Sequence, residues 1–309
     1  MKRNLIVLVL LILSSISYSQ QDAQYTQYMY NTLLINPGYA GSRNSMNLFV
    51  SHRNQWVGID GAPVTSAFSI HTPFRNTNLG LGLSFFNDKI GPSNENNIAI
   101  DFSYSIPISD KYKLSFGLKT SANLLNIDYS KLSTSNEFDP KFQNNIDNEF
   151  SPNIGLGLYF HSKDTYFGLS APKLFETKHF DGVATNDSSS YIAKELIHYY
   201  VIVGHIFDLN PDLKFKPSLL TKIVQGAPMQ VDLSGNFLIN DKITAGLSYR
   251  MDAAVSGLVG IQVDEAWFFG YSYDFDTTKF VNYNSGSHEL FLRYELFKKN
   301  NKIISPRFF

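Results

Sequence analysis

From Gln230 to Phe275 the chain repeats one pattern, and that pattern limits the folds open to it. Val231, Leu233, Phe237 and Ile239 alternate with Asp232, Ser234, Asn236 and Asn240. After Asn240-Asp241, Ile243, Ala245, Leu247 and Tyr249 alternate with Thr244, Gly246, Ser248 and Arg250. Val255, Val259, Ile261 and Val263 alternate with Ser256, Gly260 and Gln262. Past Asp264-Glu265, Trp267, Phe269, Tyr271, Tyr273 and Phe275 share one face, with Gly270, Ser272 and Asp274 on the other. Strand side chains point to opposite faces with period two, so each run has one apolar and one polar face. Tight turns between such runs describe an antiparallel meander whose apolar faces meet either a second sheet or lipid.

The start of the chain and its composition favour lipid. Lys2 and Arg3 precede an apolar run, Leu5 to Leu13, followed by small and polar residues through Ser17-Tyr18-Ser19. A positive start, a short apolar stretch and small residues before a cut are the layout of a secretory signal peptide, expected over residues 1–19. The run is short for a retained membrane helix. The chain has 309 residues and no cysteine, so an exported form has no disulfides. Charged residues are 17% and aromatics 15%, with 25 Phe and 18 Tyr. A secreted β-sandwich would share the alternation but would not need so many aromatics or so little charge. A net charge of −1 implies no nucleic-acid partner. The expected fold is all-β: an outer-membrane antiparallel β-barrel of about 14 strands, following a cleaved signal peptide.

The expected organisation is a signal peptide at 1–19, an N-terminal segment or plug at 20–45, a transmembrane barrel at 46–297 and a tail at 298–309. Residues 20–45 lack periodicity, and Asn36-Pro37-Gly38 signals a turn, so a coiled lead-in and a segment folded into the lumen are both open. Gaps between the runs sort by parity. Short ones such as Ser162–Asp164 and Asn240–Asp241 alternate with mostly longer ones such as Trp56–Val64, Asp88–Asn97, Asp128–Phe150 and Lys173–Leu196. Short periplasmic turns and long outer loops give that asymmetry, and an even strand count puts both mature ends in the periplasm. A barrel wider than eight strands must be plugged, wet or occupied by a partner. Asp232, Arg250, Gln262, Asp274, Arg293 and Glu295 on the polar faces suit such a lumen.

Catalytic and metal patterns are weak. The seven histidines form no H-E-x-x-H pattern, and neither a Gly-x-Ser-x-Gly elbow nor a phosphate loop is present. His288-Glu289 reads as a solvated pair at a strand start. Asp139, Asp147 and Glu149 lack ordered calcium-ligand spacing. No catalytic, cofactor or metal residue is therefore expected.

The most specific stretch is Arg53-Asn54-Gln55-Trp56-Val57-Gly58-Ile59-Asp60-Gly61-Ala62-Pro63. On its own it reads as an interfacial aromatic anchor beside a Gly-Pro loop. Together with Gln24–Met29, Ile35–Ser42, His71-Thr72-Pro73, Asn87–Pro92, Leu114–Lys119, Pro152–Tyr159, Lys216-Pro217-Ser218, Gly226–Asp232, Gly246–Arg250, Asn282–Glu289 and Ser305–Phe309, it resembles the PorP/SprF family of type IX secretion system membrane proteins. The resemblance runs through nearly the whole mature chain. It implies a non-enzymatic outer-membrane barrel serving type IX secretion or gliding motility. The implied partners are the periplasmic ring and peptidoglycan-binding lipoprotein of the machinery, or one cognate surface adhesin that the barrel anchors. A barrel transporting small solutes or fatty acids is the alternative. Two stretches are candidate partner surfaces: Arg53, Asn54, Gln55, Trp56, Gly58, Asp60 and Pro63 at the outer end, and Pro306, Arg307, Phe308 and Phe309 in the tail. Buried Trp and Arg often dominate interfaces. Pro306 interrupts ladder hydrogen bonding, so the tail is not a continued strand.

Overall fold

The first strand pairs with the last. Met46–Asn54 (β1) lies antiparallel to Ser287–Leu296 (β14), in register from Met46 opposite Leu296 to Asn54 opposite His288. This contact closes a barrel in a computed structural model that describes residues 28–43, 45–132, 145–176, 178–179, 193–194 and 196–296. The expected leader, residues 20–27, Asp139 and the tail with Pro306, Arg307, Phe308 and Phe309 lie outside the described residues.

Between β1 and β14 the strands follow in chain order, each paired to the next. They are Val64–Pro73 (β2), Leu79–Ile90 (β3), Ser93–Pro107 (β4), Lys113–Ile127 (β5), Ile146–His161 (β6) and Thr165–Ala171 (β7). Then come His198–His205 with its continuation Phe207–Asn210 (together β8), Leu213–Val224 (β9), Gln230–Ile239 (β10), Ile243–Arg250 (β11), Ala254–Gln262 (β12) and Trp267–Asp276 (β13). Counting β8 once, the barrel has 14 strands. Lys178–His179 and Ala193–Lys194 form a separate two-stranded ribbon.

The alternation has the polarity of a membrane barrel. Leu233, Phe237 and Ile239 are exposed on the outside, while Asp232, Ser234 and Asn236 between them are buried. Leu247 is 69% exposed, yet Arg250, three residues on, is 6% exposed. The apolar face is thus the outer one, where a bilayer covers it, and the polar face lines the lumen.

Short turns gather at one end, as at 162–164 and 240–242, and longer loops at the other, as at 55–63 and 277–286. Two gaps read as long loops are shorter in the fold. The expected loop Asp88–Asn97 is instead a hairpin, with β3 and β4 running on to a turn at Gly91-Pro92. Both faces of that hairpin are polar: Asn87 Nδ2 donates to Asn94 Oδ1 at 2.6 Å and to Asn96 Oδ1 at 2.9 Å on one face. A strand with no apolar face gives no alternation to read. β6 likewise begins at Ile146, inside the expected loop Asp128–Phe150, where a register shift opposite Leu125–Ile127 and a left-handed Asn148 break the period.

Candidate functional site: the plugged lumen and its rim

Of the N-terminal segment expected at 20–45, most of the described residues are buried against the inner wall. Residues 28–43 lie inside the barrel as two single-turn 3-10 helices, Thr32–Leu34 and Pro37–Tyr39, with their connections. Asn36 starts the second turn. Its Oδ1 accepts from Gly38 N at 2.9 Å, its Nδ2 donates to the β6 carbonyl of Leu158 at 2.9 Å, and Pro37 occupies the first helical position. Asn is a favoured cap and Pro a favoured first residue, so this short helix is specified locally.

The wall is cut to fit the plug. Gly117 on β5 faces the backbone of Pro37 and Gly38 so closely that a Cβ there would overlap it. Gly157 on β6 and Gly168 on β7 stand in the same relation to the Asn36 amide, and Gly80 on β3 to the Ala40 carbonyl. Around these bare positions, wall side chains bond the plug. Ser103 Oγ donates to Ala40 O at 2.6 Å, Ser170 Oγ to Ile35 O at 2.7 Å and Ser69 Oγ to Asn31 Oδ1 at 2.8 Å. Lys119 Nζ, paired with Asp101 at 3.2 Å, also donates to the carbonyl of Leu33 at 3.2 Å. A short coil buried without such partners would carry costly orphaned polar groups.

Opposite this seat the contacts are aromatic. The Tyr30 ring stacks on Phe268, centroids 5.4 Å apart, and meets Phe291 at 4.9 Å. Lys216 Nζ lies 5.3 Å from the same ring centroid and the Arg293 guanidinium 6.0 Å away. On the seat side itself, Tyr39 meets the rings of His71 on β2 and Tyr159 on β6 edge-on, at 5.1 and 5.4 Å. The plug ends on an ion pair between Arg43 and Glu295, and Arg293 reaches Glu295 at 3.3 Å. A residual cavity of about 130 Å³ lies between plug and wall, beside Leu34, Ile35, Ser84 and Lys119.

At the long-loop end the wall closes on a charge network. Arg53 reaches Asp274 at 2.7 Å and Glu289 at 3.3 Å, and Arg250 Nε reaches Asp232 at 3.0 Å, all buried on the lumen side. His288 and Glu289 point opposite ways: Glu289 into this network, His288 outward to the Tyr271 hydroxyl at 2.7 Å.

The stretch singled out as a partner surface is therefore divided. Arg53, Gln55 and Pro63 are buried, Trp56 is half-buried, and Asn54, Gly58 and Asp60 are exposed. Trp56 holds a left-handed backbone, φ 50°, with its ring edge-on to Phe280 at 4.8 Å. Positive φ is unusual for a bulky residue, and a clasp holds it here. Val57 N donates to Gly286 O at 2.9 Å, and Ser285 N to Val57 O at 2.8 Å. Gly91 N donates to Gly61 O at 2.8 Å, which ties in the β3–β4 turn. Three loops thus form one rim.

Among the described residues no group of three or more His, Cys, Asp or Glu side chains could hold a metal ion. Asp147 is exposed and Glu149 half-exposed, at the start of β6.

A family profile described as "Type IX secretion system membrane protein PorP/SprF" matches residues 17–294. The chain belongs to that family. The PorP/SprF assignment and the closed barrel together make this a type IX secretion system protein of the outer membrane, with the family and fold of a secretion-system barrel. No curated protein matches the chain. Among solved structures, this PorP/SprF barrel is similar to the CymD monoaromatic hydrocarbon channel, with TM-score 0.52 and 12% identity over 87% of this chain and 93% of that one. It is also similar to the Ralstonia pickettii toluene transporter TbuX, with TM-score 0.51 and 10% identity over 84% and 91% of the two chains. The P. putida toluene transporter TodX gives TM-score 0.50 and 11% identity over 90% and 95%. At these identities the likeness is one of fold.

Sequence reasoning placed Asp232, Arg250, Gln262, Asp274, Arg293 and Glu295 on the lumen face; all lie buried except Gln262, which is half-buried at the end of β12. It missed the seat. The available signal was a set of glycines at positions that the strand period assigns to the polar, inward face: Gly80, Gly82, Gly117, Gly157 and Gly168.

Proposed function

We propose that this protein is a non-enzymatic interaction barrel of the type IX secretion or gliding-motility system. It holds machinery or a cognate surface adhesin at the outer membrane, with both mature ends in the periplasm. The observation that carries the reading is the plug: with the plug seated the chain itself fills the lumen, and what the resting barrel offers a partner is its surfaces. The implied partners are the periplasmic ring and peptidoglycan-binding lipoprotein, or one secreted adhesin. The rim is the partner surface at the outer end, and its exposed part is narrower than the sequence stretch. Gly58 and Asp60 belong to it together with Val57, Phe280 and Tyr283, which are 38%, 37% and 73% exposed. The clasped, left-handed Trp56 beneath them supports this choice, because strained backbone concentrates at functional sites. The tail residues Pro306, Arg307, Phe308 and Phe309 are proposed as a second, periplasmic contact.

Solute or fatty-acid transport is the second reading. Three proteins named as hydrocarbon channels or toluene transporters share the fold, but a transport path would require the plug to move.

The test is to tag the protein in its own cells, extract outer membranes in mild detergent and identify what co-purifies. Ring proteins with a peptidoglycan-binding lipoprotein would make it a part of the core machine. A single large adhesin without the ring would make it an anchor for that cargo. Recovery of neither would overturn the interaction reading.

A further inference from the structure

The plug and the wall are separable by construction. β1 to β14 hydrogen-bond around the full circle without using residues 28–43, so the wall's ladder does not need the plug. What the plug supplies is lumen volume. Under it the wall carries Gly80, Gly82, Gly117, Gly157 and Gly168, which fill nothing themselves. Eight strands give an interior that side chains just fill, and 14 strands enclose more. With the plug withdrawn, bare backbone and the charged pairs Asp101–Lys119 and Arg53–Asp274 would line a space that water wets.

The seat is also specific. Its glycines admit backbone where a side chain would collide, and Gly38 itself is confined, since a Cβ on it would lie 3.1 Å from Ser115 O and from Tyr159 Cβ. The Leu158 carbonyl takes the Asn36 amide, and Ser103 reaches the Ala40 carbonyl. The site thus reads an Asn-Pro-Gly turn by hydrogen bonds on both sides and by the absence of a side chain at its third position.

We propose that the barrel is a gated channel for small hydrophilic solutes, with Tyr28–Arg43 as its gate and the inner face of β3 to β7 as a peptide site specific for the Asn36–Gly41 turn. Gate and site concern the lumen alone and do not rest on which partner the barrel holds. The Tyr30 cluster and the Arg43–Glu295 pair keep the gate shut at rest.

Planar-bilayer recordings of the purified protein test this. The full chain is silent, and a variant lacking residues 28–41 conducts steadily. A synthetic Asn31–Ser42 peptide then abolishes that conductance, and the same peptide carrying Gly38→Leu does not. A deletion variant that is folded, judged by heat-modifiable migration, and yet silent overturns the gate. A conducting variant on which the two peptides act alike overturns the seat. If the deletion variant does not fold, full-length Gly117→Leu takes its place, with its new side chain where Pro37 and Gly38 now lie. It should conduct in bursts, whereas Gly257→Leu, where a Cβ meets nothing within 4 Å, stays silent. Silence from both overturns the proposal.

Discussion

The two sides of the lumen hold the same plug by opposite means. On the β3–β7 side the wall has bare positions: plug backbone meets Gly80 and Gly117, and the Asn36 side chain meets Gly157. On the side of β1, β13 and β14 it has large side chains, and Phe49, Phe268 and Phe291 form a continuous aromatic layer with Tyr30. The first side sets position, because a glycine seat tolerates no added atom. The second supplies attraction, because buried aromatic area contributes most of the burial free energy. A substitution that adds atoms should therefore be worst on one side, and a substitution that deletes atoms worst on the other.

The largest effect is expected from Gly117→Leu. Its side chain must occupy space now held by plug backbone, which cannot shift without carrying Asn36 off its Leu158 contact. Hydrogen exchange at Leu33–Tyr39 should rise to the rate of an unstructured segment, while β-ladder amides in β9–β12 stay protected. Plug protection at the wild-type level in this variant would mean that the seat is not what positions the plug.

Tyr30→Ala comes next. It deletes a ring that is 4% exposed and in contact with two phenylalanines. Large aromatic truncations in packed cores cost about 3–5 kcal/mol. The urea midpoint for refolding into vesicles should fall accordingly, and Tyr30→Phe should restore most of it. Equal losses in the two variants would move the weight from the ring to its hydroxyl.

The same contrast explains what was legible in the sequence. The outward face could be read from Leu233 against Asp232, because strand geometry forces the period and lipid demands the apolar residue. The buried charges followed from parity as well. The plug was only half legible, since Asn36-Pro37-Gly38 announces a turn but does not say where the turn packs. Its seat was hidden because an inward glycine in a strand, such as Gly117, has no side-chain class to betray it, and only the approach of another backbone explains it. Arg53 was hard to place for a simpler reason. It adjoins a loop in sequence, yet it is the last inward residue of β1 and pairs along the wall with Glu289 on the adjacent β14 and Asp274 on β13.

Asn36→Ala should act more gently than either core change. It removes a cap and the amide's bonds to the wall, to Leu158 O at 2.9 Å and the longer one to Leu169 O at 3.5 Å, together about 1–2 kcal/mol. Faster exchange should stay confined to the Gly38 and Tyr39 amides and their neighbours. A loss spread over the whole plug would instead make Asn36 the pivot that links the glycine side to the aromatic side.

The smallest effect on the barrel, and the one that separates rim from lumen, is expected for Trp56→Ala. The indole touches Phe280 but lies outside the plug's packing, and the Val57–Gly286 clasp is made by backbone alone. Loop substitutions away from the core usually change stability by well under about 1 kcal/mol. Relief of the left-handed strain also offsets little here, because alanine at φ 50° is strained too. Heat-modifiable barrel and plug exchange should therefore be unchanged, while Phe280 loses its edge contact and the 277–286 loop loosens. If the rim is where a partner docks, secretion or adhesin retention should drop at normal barrel levels. Loss of the barrel itself would make Trp56 an interfacial anchor and leave the rim without a partner role.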